Sequence, residues 1–97
     1  MNFTITNMDK PDSFALRAAT REMHLGYLDS IVGVIVAGGA FLNAEGKPIG
    51  SLLIVEAPDQ EAAQALAAED PYARAGLFAT MTVSPYRLVY KDGARVA

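Results

Sequence analysis

Apolar residues recur in this chain at two spacings, and each switch between them marks an element. Residues 2–7, NFTITN, alternate and contain Phe, Ile and Thr, so they read as a strand. KPDS then supplies a helix start, with Asp12 or Ser13 as cap. From Ser13 to about Ser30 the pattern is helical, and Phe14, Ala18, Leu25 and Leu28 make one apolar stripe. The β-branched run VGVIVAGGAFL (32–42) predicts a buried strand ending in glycines. NAEGKPI (43–49) predicts a turn and SLLIVEA (51–57) a further strand, the two strands forming a hairpin. PDQEAAQALAAE (58–69) predicts a helix capped by Asp59, with Ala63, Leu66 and Ala67 facing the core. After Asp70-Pro71, FATMTVSPYRLVY (78–90) predicts a fourth strand in which Pro85 marks an edge or a bulge, and the tail 91–97 is expected to fray.

The order is β-α-β-β-α-β, an α+β ferredoxin-like arrangement with an antiparallel four-stranded sheet and two helices on one face. The segments 32–37 and 52–55 are apolar at successive positions, so both of their faces call for burial. Two helices cover only one. The expected solution is a second copy packed sheet against sheet, giving a homodimer.

The 97 residues fit one domain, 1–97, and 52% hydrophobic residues suffice for its core. A net charge of −3 disfavours nucleic acid and anionic membranes as partners. The chain has no cysteine, which excludes disulfides, thiolate catalysis and Cys-based metal sites. The N-terminus MNFTITNMDKPDS lacks the features of a secretory signal, and the longest apolar run is far shorter than a membrane helix needs. A cytoplasmic protein is the expectation. With one histidine and scattered carboxylates, no metal site and no cofactor are expected.

Candidate chemistry centres on that histidine. Arg17, Arg21, His24 and Leu28 share one helical stripe at i, i+4, i+7 and i+11. An imidazole beside guanidinium groups suits proton transfer near neutral pH on an anion held by arginine; solvated surface arginines give the same spacing. Asp70, before Pro71, is explained by capping alone. An Asp can also cap with one oxygen and bind a histidine with the other, orienting the imidazole and fixing its tautomer. Tyr27 and Tyr72 are secondary candidates, as hydrogen-bond donors or as packing. GGAFLNAEG is not a phosphate loop, and Ser84 has no second histidine to activate it.

These two motifs resemble those of the YCII-related domains, and the likeness runs from the first strand to about Tyr90. That family's helix motif is Ser-Leu, two spaced arginines and His-Leu; here SFALRAATREMHLGYL supplies Ser13, Arg17, Arg21, His24 and Leu25. Its second motif is Ala-Asp-Pro-Tyr and a following Gly; here EDPYARAG supplies Asp70, Pro71, Tyr72 and Gly76. The resemblance implies a dimeric α+β barrel with an active site built on His24 and Asp70. One similar protein type removes chloride from a chlorinated hydroxyhydroquinone, and the fold is similar to that of muconolactone isomerases. The family often has Ala-Gly-Pro after the second strand. Here AGGAF places Gly39 where that Pro would be, so the pocket rim differs.

Two functions are therefore expected to compete. The first is a cofactor-free lyase (dehydrochlorinase) or isomerase acting on a small anionic or aromatic metabolite. In it His24 and Asp70 are catalytic, and Arg17, Arg21 and Tyr72 bind substrate. The second is a non-catalytic ligand-binding or accessory module with the same pocket. RNA binding, which shares this element order, lacks the basic surface and exposed sheet aromatics it requires.

Overall fold

The computed structural model describes all residues, 1–97. Strand β1 (Asn2–Asp9) leads into helix α1 (Phe14–Ser30), and a 3₁₀ turn (Val32–Val34) precedes β2 (Ile35–Leu42) and β3 (Pro48–Glu56). Helices α2 (Gln60–Glu69) and α3 (Pro71–Arg74) follow, then β4 (Phe78–Tyr86) and a small hairpin of β5 (Tyr90–Lys91) and β6 (Ala94–Arg95). The main sheet runs β2-β3-β1-β4 and is antiparallel throughout, with β1 and β3 at its centre. This is the expected ferredoxin-like α+β order.

The alternation in β1 sets the layers. Phe3 and Ile5 point to the helices and are buried, opposite Val55 and Leu53 of β3. Ala57, Ala63 and Ala67 complete this core. Asp59 caps α2 as expected, its side chain accepting the Ala62 N–H at 2.8 Å. Pro85 lies in β4, which is an edge strand, where a missing N–H is tolerated.

Several expectations are corrected. Residues 32–34 form a 3₁₀ turn closed by Val34 N–H to the Ile31 carbonyl (3.0 Å), so the second strand starts at Ile35. Gly38 and Gly39 fall within β2 rather than at its end. The third strand begins earlier, at Pro48, and the fourth stops at Tyr86. Part of the tail is paired, not frayed: Asp92 and Gly93, with φ of 52° and 78°, make a two-residue reversal between β5 and β6. Ser13 occupies the cap position of α1 but makes no capping bond; its hydroxyl donates to the Pro11 carbonyl instead.

The largest correction concerns α1. Phe14, Ala18 and Leu25 are exposed, and the face turned inward carries Arg17, Thr20, His24, Tyr27 and Leu28. Polar side chains can occupy a buried face where each finds a partner. Thr20 donates to the Leu16 carbonyl at 2.9 Å and the Tyr27 hydroxyl to the Leu66 carbonyl at 2.7 Å. Arg17 and His24 find carboxylates, and these define the site.

On the other face of the sheet, Ala37 and Phe41 of β2 and Leu52 and Ile54 of β3 form an apolar half. Thr4, Thr6, Thr80, Thr82 and Ser84 make β1 and β4 polar there. No helix is long and apolar enough to cross a membrane.

Candidate active site

Asp70 sits at the junction of two helices, ending α2 and capping α3, with extended backbone angles (φ −59°, ψ 128°) that break the helical path. Pro71 takes the first position of α3, where its missing N–H costs nothing, and Gly76 (φ 76°) leads out. Asp70 Oδ1 accepts the Tyr72 N–H at 2.9 Å and also holds His24 Nδ1 at 2.8 Å. One oxygen therefore performs both tasks, where the sequence suggested that the two oxygens would divide them. A carboxylate only accepts, so the imidazole proton belongs on Nδ1 and the Nε2 lone pair is free.

Tyr72 is 1% exposed and stands behind the imidazole. The two rings stack with centroids 3.9 Å apart and planes 17° from parallel. The Arg17 guanidinium carbon lies 4.7 Å over the Tyr72 ring. The Tyr72 ring therefore packs against both Arg17 and His24. Phe78 meets its edge at 6.1 Å. Burial raises the Tyr72 phenol above its ordinary range, although the charges of Arg17 and Arg21 pull the other way. Tyr27 is also raised, by burial first and then by the negative charges of Glu69 and Asp70.

Arg17 lines the same cavity as His24 but is already paired. Its Nε and Nη2 donate to Asp9 Oδ2 and Oδ1 at 2.7 and 3.1 Å, a two-pronged pair with both side chains less than a tenth exposed. Burial opposes the guanidinium charge, but the hydrogen bonds and charge of Asp9 outweigh it and the Arg17 pKa is raised. Arg21 has no carboxylate partner, is exposed and borders the cavity.

That cavity measures about 390 Å³ and opens between α1 and the sheet. Arg21 and His24 form its wall on α1, Asn7 and Ser51 lie on the sheet side, and Gly38 and Gly39 of β2 line it. A Cβ at Gly38 would come within 2.7 Å of Leu53 Cδ1, whereas one at Gly39 would meet open space. A more open hollow of about 610 Å³ near Met1, Tyr86 and Arg87 includes neither His24 nor Asp70. No three His, Asp or Glu side chains converge anywhere in the chain.

The structure thus brings His24 to Asp70 and places Arg21 beside them, turns Arg17 toward Asp9, and puts Tyr72 behind the histidine. Sequence reasoning missed Asp9, Asn7 and Ser51. The signal for Asn7 was legible: inward positions 3 and 5 of β1 are apolar, and position 7 is an amide.

The model of the YCII-related domain matches residues 1–87. The chain belongs to this family. It is 32% identical to Protein YciI of Escherichia coli O6:H1 and 31% identical to an uncharacterised protein of Haemophilus influenzae. In each case 93% of this chain aligns with all of the relative. Its fold superposes, with a TM-score of 0.85 and 33% identity, on a 5-chloro-2-hydroxyhydroquinone dehydrochlorinase (TftG) of Burkholderia phenoliruptrix AC1100, solved with 2,5-dihydroxybenzoquinone. That match covers 90% of this chain and 94% of the other. An antibiotic biosynthesis monooxygenase at 18% identity, with a TM-score of 0.52, shares the fold alone; the match covers 92% of this chain and 98% of that one. The fold is of the dimeric α+β barrel type.

Proposed function

We propose that this YCII-related protein is a cofactor-free enzyme of lyase (dehydrochlorinase) or isomerase type, acting on a small hydroxylated, anionic or aromatic metabolite. The observation that carries the reading is the 2.8 Å contact of His24 with Asp70 at the wall of a cavity. Nε2 takes a proton from the substrate. The imidazolium so formed rests against the Asp70 carboxylate and on the face of Tyr72, both of which favour positive charge. Negative charge left on the substrate is met by Arg21. If the substrate carries chloride, the net change is loss of a proton and chloride; without a leaving group, return of the proton at another atom gives an isomer. Neither outcome consumes an oxidant. The likeness to the dehydrochlorinase favours chlorinated hydroxyhydroquinones as the first compounds to try.

In the same reading two copies associate through the open sheet face, covering Phe41, Leu52 and Ile54.

The test is chloride release from 5-chloro-2-hydroxyhydroquinone, with deuterium exchange from solvent into hydroxylated aromatic acids as a second assay. His24→Gln is expected to remove the activity that the parent shows. Equal turnover by parent and variant overturns the role of His24. Binding without turnover or exchange leaves the pocket as that of an accessory module.

A further inference from the structure

The sheet side of the cavity carries a polar pair that the proton-transfer reading leaves unused. Asn7 is the third inward position of β1, after Phe3 and Ile5, and is 4% exposed. It faces Ser51 in register on β3. The neighbouring Gly50 cannot carry a side chain, since a Cβ there would lie 2.5 Å from the Asn7 carbonyl oxygen. The two strands are therefore held close and the pair is fixed in place. Asn7 Nδ2 donates to Ser51 Oγ over 3.4 Å, a long bond. Asn7 Oδ1 is the one buried side-chain oxygen or nitrogen that lacks a partner.

An unpaired buried carbonyl is costly, and an apolar residue would continue the pattern of this strand without the cost. Both residues line the cavity that holds His24 and Arg21. With Asn7 Oδ1 open, Ser51 accepts from Asn7 and keeps its own O–H to give. Turning the amide over leaves an N–H open and makes Ser51 Oγ the available acceptor. In either arrangement the pair offers one donor and one acceptor. A ligand hydroxyl has the matching set. A keto or ether oxygen only accepts, and leaves one member of the pair unanswered.

We infer that Asn7 and Ser51 form a hydroxyl-recognition subsite, and that the ligand carries a hydroxyl seated on this pair in addition to the group that meets Arg21. The inference rests on the reading of the cavity as a small-ligand site. It does not need turnover. It makes Asn7 a specificity residue, and it narrows the ligand class to hydroxylated anions, of which hydroxylated aromatic acids are the simplest.

The test compares the dissociation constants of 4-hydroxybenzoate, 4-methoxybenzoate and benzoate for the whole protein by calorimetry. The parent is expected to bind the hydroxy acid about tenfold more tightly than the other two, the scale of one hydrogen bond that pairs a buried polar group. Asn7→Leu, which keeps the volume and removes the amide, is expected to bring the three constants together and to raise the melting temperature of the free protein. Equal binding of the three acids by the parent, or no binding of any at millimolar concentration, overturns the inference without any variant. A preference that survives in Asn7→Leu overturns it as well. His24→Gln separates the two readings: the hydroxyl preference is expected to persist there while proton transfer is lost.

Discussion

Arg17 and His24, seven residues apart on α1, both pack against Tyr72, the guanidinium carbon at 4.7 Å and the imidazole centroid at 3.9 Å from its ring centre. Seven residues are close to two helical turns, so both side chains share a stripe and both can reach one ring. The stacked ring gives the histidine a backing on one face, with Asp70 at its Nδ1 edge.

Removing the ring should release that backing. Tyr72→Ala is expected to cost about 3–5 kcal/mol, the range for deleting a buried aromatic. Tyr72→Phe keeps the stacked ring and should stay within about 1 kcal/mol of the parent. Urea unfolding reads the stability, and the NMR line width of the His24 ring protons reads its positioning. A broadened His24 in Tyr72→Phe would mean that the ring is not what holds it.

Asp70 combines a cap with a histidine contact, and substitutions separate the two. Asn caps about as well as Asp, so Asp70→Asn should lose less than ~0.5 kcal/mol through the cap. Asp70→Ala removes the cap and strands the His24 Nδ1–H, for about 1–3 kcal/mol. Proton transfer should fall in both, because neither variant supplies a negative charge to the imidazolium. An active Asp70→Asn would show that orientation alone suffices.

The two arginines should behave oppositely. Arg17→Met leaves the Asp9 carboxylate buried and unpaired, and a loss of about 3–5 kcal/mol is expected, recovered in large part by the double variant with Asp9→Leu. Arg21→Gln should change stability by no more than ~0.5 kcal/mol. Its effect should fall on ligands: benzoate binding weakens by about 1.5–3 kcal/mol, while benzamide binding is unchanged. Thermal melts and calorimetry on the same samples give both readouts, and equal loss for acid and amide would remove Arg21 from the binding site.

Alkaline pH should destabilise the fold through its phenols. Tyr72 and Tyr27 have raised pKa values, chiefly because burial disfavours the phenolate. A group whose folded pKa lies above its unfolded value stabilises the fold fully below the unfolded pKa, here 10.0, and loses that contribution as pH rises through the folded value. Urea midpoints are thus expected to decline above that pH, and less steeply in Tyr27→Phe. A decline of the same steepness in the variant would assign it to other groups.

Association through the sheet is read by sedimentation. Two copies of the 10.3 kDa chain are expected at micromolar concentration, and Phe41→Glu should shift the population to the single chain. A folded single chain in the parent would leave the apolar half of that face without a second copy.

Local pattern carried the elements far in this chain. Strand alternation, the Asp59 and Asp70 caps and the Pro71 helix start depend on neighbours within a few residues, and those rules place β1, α2 and α3 close to where they lie. The paired family motifs made His24 and Asp70 legible as a unit. What escaped were side-chain pairings between elements that no motif ties together. Helical periodicity alone assigned the inner face of α1 to Phe14, Ala18 and Leu25, because it scores apolar residues and cannot foresee partners for polar ones. Asp9 lies in another element from Arg17, and Leu66, whose carbonyl takes the Tyr27 hydroxyl, is 39 residues away. Those bonds offset the cost of burying a polar face. The apolar run at 32–37 likewise called for burial on both faces, yet 32–34 form a turn and β2 lies at the edge of the sheet. Strand order is set by how the helices pack over one face of the sheet, and that same packing opens the cavity against α1 in which His24, Arg21, Asn7 and Ser51 come together.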